Sequence, residues 1–299
     1  MAEKKEGTEK KPVLRTCFKR FVPGLPLLLL LAVLLGYISH CSFYAKKEPL
    51  AHNTPTFEIY PKEAVVPRTR IPKPGPLLPK VAIIIDDMGY DSVIAKKFID
   101  LDAAITFSIF PYSPFQKKII RMARAKGNDI MLHLPMEPME YPVVDPGPGA
   151  LLTSMSPEQI VSQLEKNLNT VPFIKGVNNH MGSRMTTVSN QMYQILSVLK
   201  KRGLFFIDSF TTMDSICKSS ARLLQVPFAQ RDVFLDHIQH PDVIRRQIKH
   251  LIRVANNYGE AVGIGHPHMV TYQILHEMLP LLRKKVRLVP ASEVVHTIG

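Results

Sequence analysis

The hydrophobic and polar positions of this chain form two patterns, and the change between them falls near residue 80. Before that point, an uncharged and mostly apolar run occupies residues 21–38, near the minimum length for a membrane-spanning helix. After it, short apolar runs alternate with segments in which apolar residues recur every three or four positions. This alternation of strand and helix patterns predicts an α/β fold built on a parallel sheet.

The first of these runs, residues 81–85, is mainly β-branched and predicts a strand that is buried on both faces. Similar runs predict further strands at residues 103–110, 129–132, 175–180, 204–207, 233–235, 261–265 and 286–289. Helical periodicity predicts helices at residues 113–126, 156–168, 190–201, 244–255 and 272–283. We therefore expect a barrel-like fold of roughly seven strands with helices between them.

Polar residues stand directly after one predicted strand after another. The carboxyl ends of parallel strands meet at one rim of the sheet, where α/β folds carry their chemistry. The convergence of these residues at one rim is the functional signal of the sequence. They are Asp86, Asp87, His133, Glu137, Asn178, Asn179, His180, Asp208, Asp236 and His266.

One aspartate and two histidines of this rim, Asp87, His133 and His180, form a suitable ligand set for zinc or a similar divalent ion. Such an ion would lower the pKa of a bound water and polarise a carbonyl group. Asp86 is then the candidate base, because it stands beside the ligand Asp87. His266 would either donate a proton to the leaving group or orient Asp86.

Each of these side chains also has a structural interpretation. His133 could be a hydrogen-bonded core histidine, and His266, which precedes a proline, could belong to a rigid turn. Asp208 could simply cap a loop by binding a backbone amide. Arg184 could bind a substrate anion or Asp86, or it could form an ordinary surface ion pair.

The amino-terminal part of the chain predicts a membrane anchor. Residues 1–20 form a polar tail rich in lysine and arginine, which places this tail in the cytoplasm. Residues 21–41 predict an uncleaved signal anchor, since no small-x-small cleavage site follows the apolar run. Residues 42–79 are rich in proline and predict a stiff linker, and residues 80–299 form the predicted folded domain. We expect a single-pass protein of the inner membrane whose folded domain lies in the periplasm.

Composition and charge exclude some functional classes. The chain has 299 residues and a formal net charge of +13. It carries no recognisable nucleic-acid-binding motif, so we predict no nucleic-acid partner and attribute the basic charge to an anionic membrane or envelope polymer. Its three cysteines form no CxxC pair and indicate neither a disulfide framework nor a zinc knuckle.

Five motifs of the predicted domain occur in an order that resembles a known family. They are Ile83-Ile84-Ile85-Asp86-Asp87-Met88-Gly89, His133-Leu134-Pro135-Met136-Glu137, Gly176-Val177-Asn178-Asn179-His180-Met181-Gly182-Ser183, Ile207-Asp208-Ser209 and Gly265-His266-Pro267. Together they resemble the divergent polysaccharide deacetylase family of envelope proteins, the YibQ-like group, over roughly residues 80–297. That family is similar to the NodB-type carbohydrate esterases, which implies a deformed (β/α) barrel and a metal-dependent deacetylase.

The resemblance also implies roles for single residues. The first aspartate of the Asp-Asp motif is the base in the wider group and the second binds the metal, which gives these roles to Asp86 and Asp87. The later histidine of the wider group matches His266.

This chain departs from the wider group at the metal-binding motif. His133 matches the first histidine of a His-x-x-x-His motif, but Glu137 stands where the second histidine would be. We expect His180, from the next strand end, to supply the missing ligand. We assign a second set of rim residues to substrate binding, namely Asn178, Asn179, Arg184, Asp208 and Glu137.

The leading functional hypothesis is a membrane-anchored, metal-dependent hydrolase that removes acetyl groups from an envelope polysaccharide such as peptidoglycan, with zinc as the expected ion. The alternative is a catalytically inactive glycan-binding or scaffold protein that keeps the deacetylase fold, and the departure at Glu137 favours it. Metal-dependent phosphoester hydrolysis is a weaker third hypothesis, since it calls for more carboxylate ligands and a second ion.

Overall fold

The computed structural model describes residues 78–299 of the chain. The predicted basic tail, the predicted signal anchor and nearly all of the predicted linker, residues 1–77, lie outside the described residues. Among the helices of residues 78–299, none is both long enough and apolar enough to cross a membrane.

Nine strands form one sheet in the described part of the chain. They are β1 (Lys80–Met88), β2 (Ile105–Ile109), β3 (Ile130–Met136), β4 (Gly176–Met181), β5 (Phe205–Asp208), β6 (Phe228–Gln230), β7 (Val233–Phe234), β8 (Glu260–Gly265) and β9 (Arg287–Val289). Every predicted strand is present, and β6 is the one that the sequence did not predict. Its three residues are too few to produce a recognisable apolar run.

Seven α-helices accompany the sheet within residues 78–299. They are α1 (Ser92–Ile99), α2 (Gln116–Ala125), α3 (Pro157–Thr170), α4 (Ser189–Lys201), α5 (Cys217–Leu224), α6 (Pro241–Tyr258) and α7 (Met269–Lys285). The sequence did not predict α1 and α5, because each spans only eight residues and shows barely two turns of periodicity. The start of α3 is fixed by a capping box, in which Ser156 and Gln159 each bind the other's backbone amide.

All the strand pairs of this sheet are parallel, in the spatial order β6-β5-β4-β3-β2-β1-β8-β7, and β9 pairs with the first residues of β1. The sheet curls into a half-barrel with helices packed against it, so the coarse form of the predicted deformed barrel is confirmed. At the β6 edge, Phe228 exchanges backbone hydrogen bonds with His296 of the carboxyl-terminal segment. This pairing covers an edge that would otherwise expose unpaired backbone groups.

Alternate residues of each strand point to opposite faces of the sheet, and each face has its own hydrophobic core. On β1, Ile83 and Ile85 belong to the core under the helices, whereas Ala82 and Ile84 belong to the smaller core inside the half-barrel. Burial on both faces explains why the β1 sequence is continuously apolar. The same alternation assigns Asp86 to the inside of the half-barrel, at the rim.

Candidate active site

The inner face of the half-barrel ends, at the carboxyl ends of its strands, in a buried polar cluster. Three of its members stand two residues after a side chain of the inner core: Asp86 after Ile84, His133 after Met131 and His266 after Ile264. Asn178 and His180 occupy alternate positions on β4. Five polar residues of this cluster are buried, each with an exposed fraction of 5% or less. They are Asp86, His133, Asn178, His180 and His266.

Asp87 reaches the same cluster because the backbone of β1 changes direction. Neighbouring residues of a regular strand point to opposite faces, so Asp87 should point away from the side that Asp86 faces. However, Asp87 has a left-handed φ of 54°, and the pairing register between β1 and β2 shifts between Ile85 and Met88. A left-handed aspartate is sterically unfavourable and is typical of functional sites. The change in register brings both carboxylates of the Asp-Asp pair into one site.

Gly89 allows this turn to pack closely. It has a φ of 143°, and a Cβ at this position would lie 2.0 Å from Ser113 Oγ. Only glycine fits both the backbone conformation and the close approach.

Three atoms of Asp87, His133 and His180 form a nearly equilateral triangle. Asp87 Oδ1 lies 3.0 Å from His133 Nε2 and 3.2 Å from His180 Nδ1, and the two nitrogens are 3.2 Å apart. Ligands of a tetrahedral zinc ion, with bonds of about 2.0–2.2 Å, lie about 3.3 Å from one another. The spacing of these donor atoms therefore suits one small divalent ion.

The burial of these atoms supports the same conclusion. Asp87 Oδ1 is buried and accepts no hydrogen bond of good geometry. Such an oxygen is costly in a protein interior, and a bound cation would remove that cost. The predicted ligand set thus fits a divalent ion both in its chemistry and in its arrangement.

The aromatic ring of Phe110 packs against both candidate ligand histidines. The edge-to-face contacts of Phe110 have ring-centroid distances of 5.0 Å to His133 and 4.8 Å to His180. These contacts fix the orientation of both imidazoles and exclude water from one side of them. The apolar pattern identifies Phe110 only as the last residue of a predicted strand.

The Asn178 side chain joins Asp86 to His133. Its Nδ2 donates to both carboxylate oxygens of Asp86, at 2.9 Å each, and its Oδ1 lies 2.9 Å from His133 Nδ1. Two hydroxyl groups, those of Ser108 and Ser209, complete its hydrogen bonding. Asn178, predicted to bind substrate, is therefore fully enclosed between the candidate base and a candidate ligand.

His266 is paired with Asp236, which lies two residues beyond the end of the neighbouring strand β7. Asp236 Oδ1 lies 2.8 Å from His266 Nδ1, and Oδ2 accepts hydrogen bonds from the His266 backbone amide and from Thr271 Oγ1, both at 2.7 Å. The Phe234 ring stacks on the His266 ring at 6.1 Å. Asp236 is predicted at the rim but with no assigned role, although it stands two residues after the inner-core residue Phe234.

Burial and neighbouring charges shift the pKa values of the carboxylates in opposite directions. Burial raises the pKa of Asp86, although the nearby His133 and His266 oppose this change. Burial also tends to raise the pKa of Asp87, but His180 and His133 outweigh it and hold the pKa well below the ordinary value. Asp87 is therefore the more readily ionised of the two carboxylates, and Asp86 is the more basic.

The pKa values of the histidines also differ. Burial lowers the pKa of His180. It also favours neutral His266, but the charge and the hydrogen bonds of Asp236 outweigh burial and raise the pKa of His266 to about 9. His266 therefore holds a proton at neutral pH and can donate it.

Two of the predicted substrate-binding residues face away from the cluster. Asn179 donates to the Met181 carbonyl and accepts from the Ser209 amide. Asp208 accepts hydrogen bonds from the Phe210 amide at 2.8 Å and from Ser215 Oγ at 2.6 Å. Both residues occupy the outward positions of their strands, so the structure does not bring them into the polar cluster.

Glu137 and Arg184 lie at the rim and bind each other. Arg184 Nη1 lies 3.2 Å from Glu137 Oε1, and its Nη2 donates to the Met139 carbonyl at 2.7 Å. The other Glu137 oxygen accepts hydrogen bonds from the amide and hydroxyl of Thr153. Glu137 thus holds the β3–α3 loop and takes no part in the triangle of donor atoms. The predicted role of both residues in substrate binding stays a prediction.

Comparisons with known proteins agree with the resemblance inferred from the motifs. The family model described as divergent polysaccharide deacetylase matches residues 83–295. The chain is 32% identical to the uncharacterised protein YibQ of Escherichia coli (strain K12) over 217 residues, which are 73% of this chain and 67% of YibQ. It is also 32% identical to an uncharacterised protein of Haemophilus influenzae over 210 residues, 70% of this chain and 74% of that protein.

A solved structure shows the same fold. The crystal structure of an uncharacterised protein from Agrobacterium tumefaciens C58 superimposes with a TM-score of 0.71 at 24% identity, and the match covers 76% of this chain and 93% of that one. The matched family model spans well over half of the chain, including the whole polar cluster. The chain belongs to the divergent polysaccharide deacetylase family.

Proposed function

We propose that this protein is a metal-dependent hydrolase that removes acetyl groups from an envelope polysaccharide. Membership of the divergent polysaccharide deacetylase family supports a deacetylase-like role. The observation that carries the proposal is the triangle of donor atoms from Asp87, His133 and His180. A carboxylate and a protonated histidine, Asp86 and His266, lie close enough to each other for their charges to interact.

Asp87, His133 and His180 would hold the ion. One carboxylate and two imidazoles suit zinc, which makes zinc the first candidate. When bound, a divalent ion polarises the acetyl carbonyl and lowers the pKa of water. Three protein ligands leave room beside the ion for water and for the acetyl group.

Asp86 would act as the base. Water adds its oxygen to the acetyl carbonyl carbon, and Asp86 takes a proton from it. Burial raises the pKa of Asp86, which makes it a stronger base than an exposed aspartate. Asn178 holds both oxygens of this carboxylate, so the side chain keeps one position as it accepts the proton.

His266 would protonate the leaving group. Its Nδ1 is held by Asp236, so Nε2 is the ring nitrogen that would deliver the proton. The bond between the acetyl carbon and the sugar nitrogen or oxygen breaks, and the leaving atom receives this proton. Acetate and an amine or a hydroxyl are the products.

The test is acetate release by the purified full-length chain, loaded with zinc, from N-acetylglucosamine oligomers and from isolated peptidoglycan. We expect release that stops after treatment with a chelator, resumes with the metal, and is absent from Asp86→Asn. A chain that binds the ion and binds peptidoglycan without releasing acetate would instead support the alternative, a glycan-binding protein without catalysis. That outcome would contradict our proposal.

We further propose that the protein is anchored in the inner membrane with its folded domain in the periplasm. The support is the sequence pattern of residues 1–41, a basic tail followed by an apolar run. A carboxyl-terminal fusion to alkaline phosphatase should be active in intact cells, since that enzyme folds only outside the cytoplasm. Deletion of residues 21–41 should abolish this activity, and a fusion that remained active after the deletion would contradict the anchor.

A further inference from the structure

We propose that Asn178 is a positioning residue that holds the base Asp86 and, through the same amide group, decides which nitrogen of His133 faces the ion. The inference rests on the proposed function and adds to it a residue that acts through the base and through one metal ligand. Asn178 would touch neither substrate nor metal. It would act through two residues that do.

The contacts of Asn178 separate cleanly by type. Its Nδ2 faces acceptors, namely both oxygens of Asp86 at 2.9 Å and Ser209 Oγ at 3.2 Å. Its Oδ1 faces His133 Nδ1 at 2.9 Å and accepts a hydrogen bond from Ser108 Oγ. The residue is fully buried, so water does not compete for these positions.

Charge fixes the orientation of the amide. An ionised carboxylate only accepts hydrogen bonds, so the Asn178 NH₂ group must face Asp86. A reversed amide would place its carbonyl oxygen against the carboxylate of Asp86, which is strongly unfavourable in a buried site. The carbonyl oxygen is therefore held toward His133.

The orientation of Asn178 then determines the tautomer of His133. A carbonyl oxygen only accepts, so His133 Nδ1 must carry a hydrogen and donate it. In a neutral imidazole the other nitrogen, Nε2, then carries the lone pair. Nε2 is the His133 atom of the donor triangle, 3.0 Å from Asp87 Oδ1. The Asn178 amide thus holds the base Asp86 in place and also sets the tautomer of the ligand His133.

The neighbouring asparagine shows that this role belongs to position 178 alone. Asn179 is equally buried, but it points to the other face of β4 and binds only the backbone groups of Met181 and Ser209. It provides a matched control, because the same substitution at the next residue removes a buried asparagine without touching Asp86 or His133.

Asn178→Asp separates the two parts of the proposal. The new carboxylate still accepts from His133 Nδ1, so zinc affinity should stay within about threefold of wild type or increase. The same group presents a negative charge instead of a donor to Asp86. We therefore expect kcat to fall by about 10²-fold or more with KM nearly unchanged, because the base loses its correct protonation state.

Asn178→Ala should remove both proposed roles of Asn178, the positioning of Asp86 and the choice of the His133 tautomer. Loss of the acceptor for His133 should weaken zinc binding by about 10–100-fold, as for other groups that orient metal ligands. Zinc affinity is measured on the full-length chain by competition with a chromophoric chelator, which requires no substrate. Asn179→Ala should lower the unfolding temperature but leave zinc affinity within about threefold of wild type.

A measurement on the wild-type chain avoids the case in which the variants do not fold. Long-range ¹H–¹⁵N correlation spectra of the zinc-loaded chain identify which imidazole nitrogen carries hydrogen. We expect His133 to carry it on Nδ1. Hydrogen on Nε2 would overturn the inference.

The outcomes distinguish this inference from the proposed function. If wild type binds zinc and releases acetate while Asn178→Asp and Asn178→Ala behave as wild type, the inference is wrong and the proposed function stands. Equal losses of zinc affinity in Asn178→Ala and Asn179→Ala would also overturn it. If wild type binds no divalent ion, the proposed function fails and the inference fails with it.

Discussion

The rim of the half-barrel holds two groups of one aspartate and two histidines, and their difference explains what each can do. The first group is Asp87, His133 and His180, and the second is Asp236, His266 and His268; in each, the nearest donor atoms lie within 4.8 Å of one another. By residue type and distance alone, both groups could hold a metal ion.

The hydrogen bonds of the aspartates separate the two groups. In the second group, both oxygens of Asp236 are engaged by His266 and Thr271 with normal geometry. In the first group, Asp87 Oδ1 is buried, faces two ring nitrogens and accepts no hydrogen bond of good geometry. A carboxylate with satisfied oxygens stabilises a protonated imidazole, whereas a buried oxygen that lacks a well-oriented donor is stabilised by a cation.

Proximity of ligand-type residues is therefore a weak criterion for a metal site. The hydrogen bonds that the aspartate already makes decide whether an Asp-His-His group holds a cation or a proton. Substitutions in each group test this division between a cation site and a proton site.

Loss of a ligand from the first group should abolish metal binding. We expect His133→Ala and Asp87→Ala to contain no zinc after loading and dialysis, where wild type retains one equivalent, because two remaining ligands bind the ion poorly. Metal analysis of the purified full-length chains measures this. His268→Ala, from the second group, is the matched control and should retain one equivalent. A zinc loss in this control equal to that in His133→Ala would contradict the division.

Asp86→Asn should retain the metal and lose turnover. The amide has nearly the same shape as the carboxylate but cannot accept a proton, so kcat should fall by about 10³–10⁴-fold. Acetate release and zinc content are measured on the same preparation. Full activity of this variant would show that Asp86 is not the base.

His266→Gln should reduce turnover in a way that depends on the leaving group. Without a proton donor, hydrolysis of an N-acetylated sugar should slow by about 10²-fold. Hydrolysis of 4-nitrophenyl acetate should change much less, because nitrophenolate leaves without protonation. Zinc content should stay at one equivalent, since His266 belongs to the second group. An equal loss on both substrates would argue against the role of His266 as proton donor.

The Asp236–His266 pair should make stability depend on pH. The pKa of His266 rises from 6.5 to about 9 on folding because Asp236 outweighs the effect of burial. This stabilisation is fully present below pH 6.5 and is lost as pH rises through 9. Its full size is on the order of 3 kcal/mol. Urea unfolding of the metal-free chain at several pH values should reveal it, and Asp236→Asn should flatten the dependence between pH 6.5 and 9.

Much of the fold and of the site could be predicted because every second residue of a strand points to the inner face of the sheet. Asp86, His133 and His266 follow apolar residues of the inner core at this spacing, so their convergence is a property of the sequence pattern. Applied more strictly, the same pattern would have assigned Asp236 to the polar cluster and would have excluded Asn179 and Asp208 from it. The short elements α1, α5 and β6 were missed because eight or fewer residues give too little periodicity.

The α/β alternation, the family and the residue types that gather at the rim all follow from the amino-acid sequence. Tertiary structure decided the placement of Asp87, because its left-handed backbone and the register shift of β1 break the regular alternation. It also decided the partners of Glu137, which binds Thr153 and Arg184. These outcomes depend on distances between atoms of different strands. Sequence periodicity specifies which face a side chain takes, but it does not specify which of several polar groups on that face will be its partner.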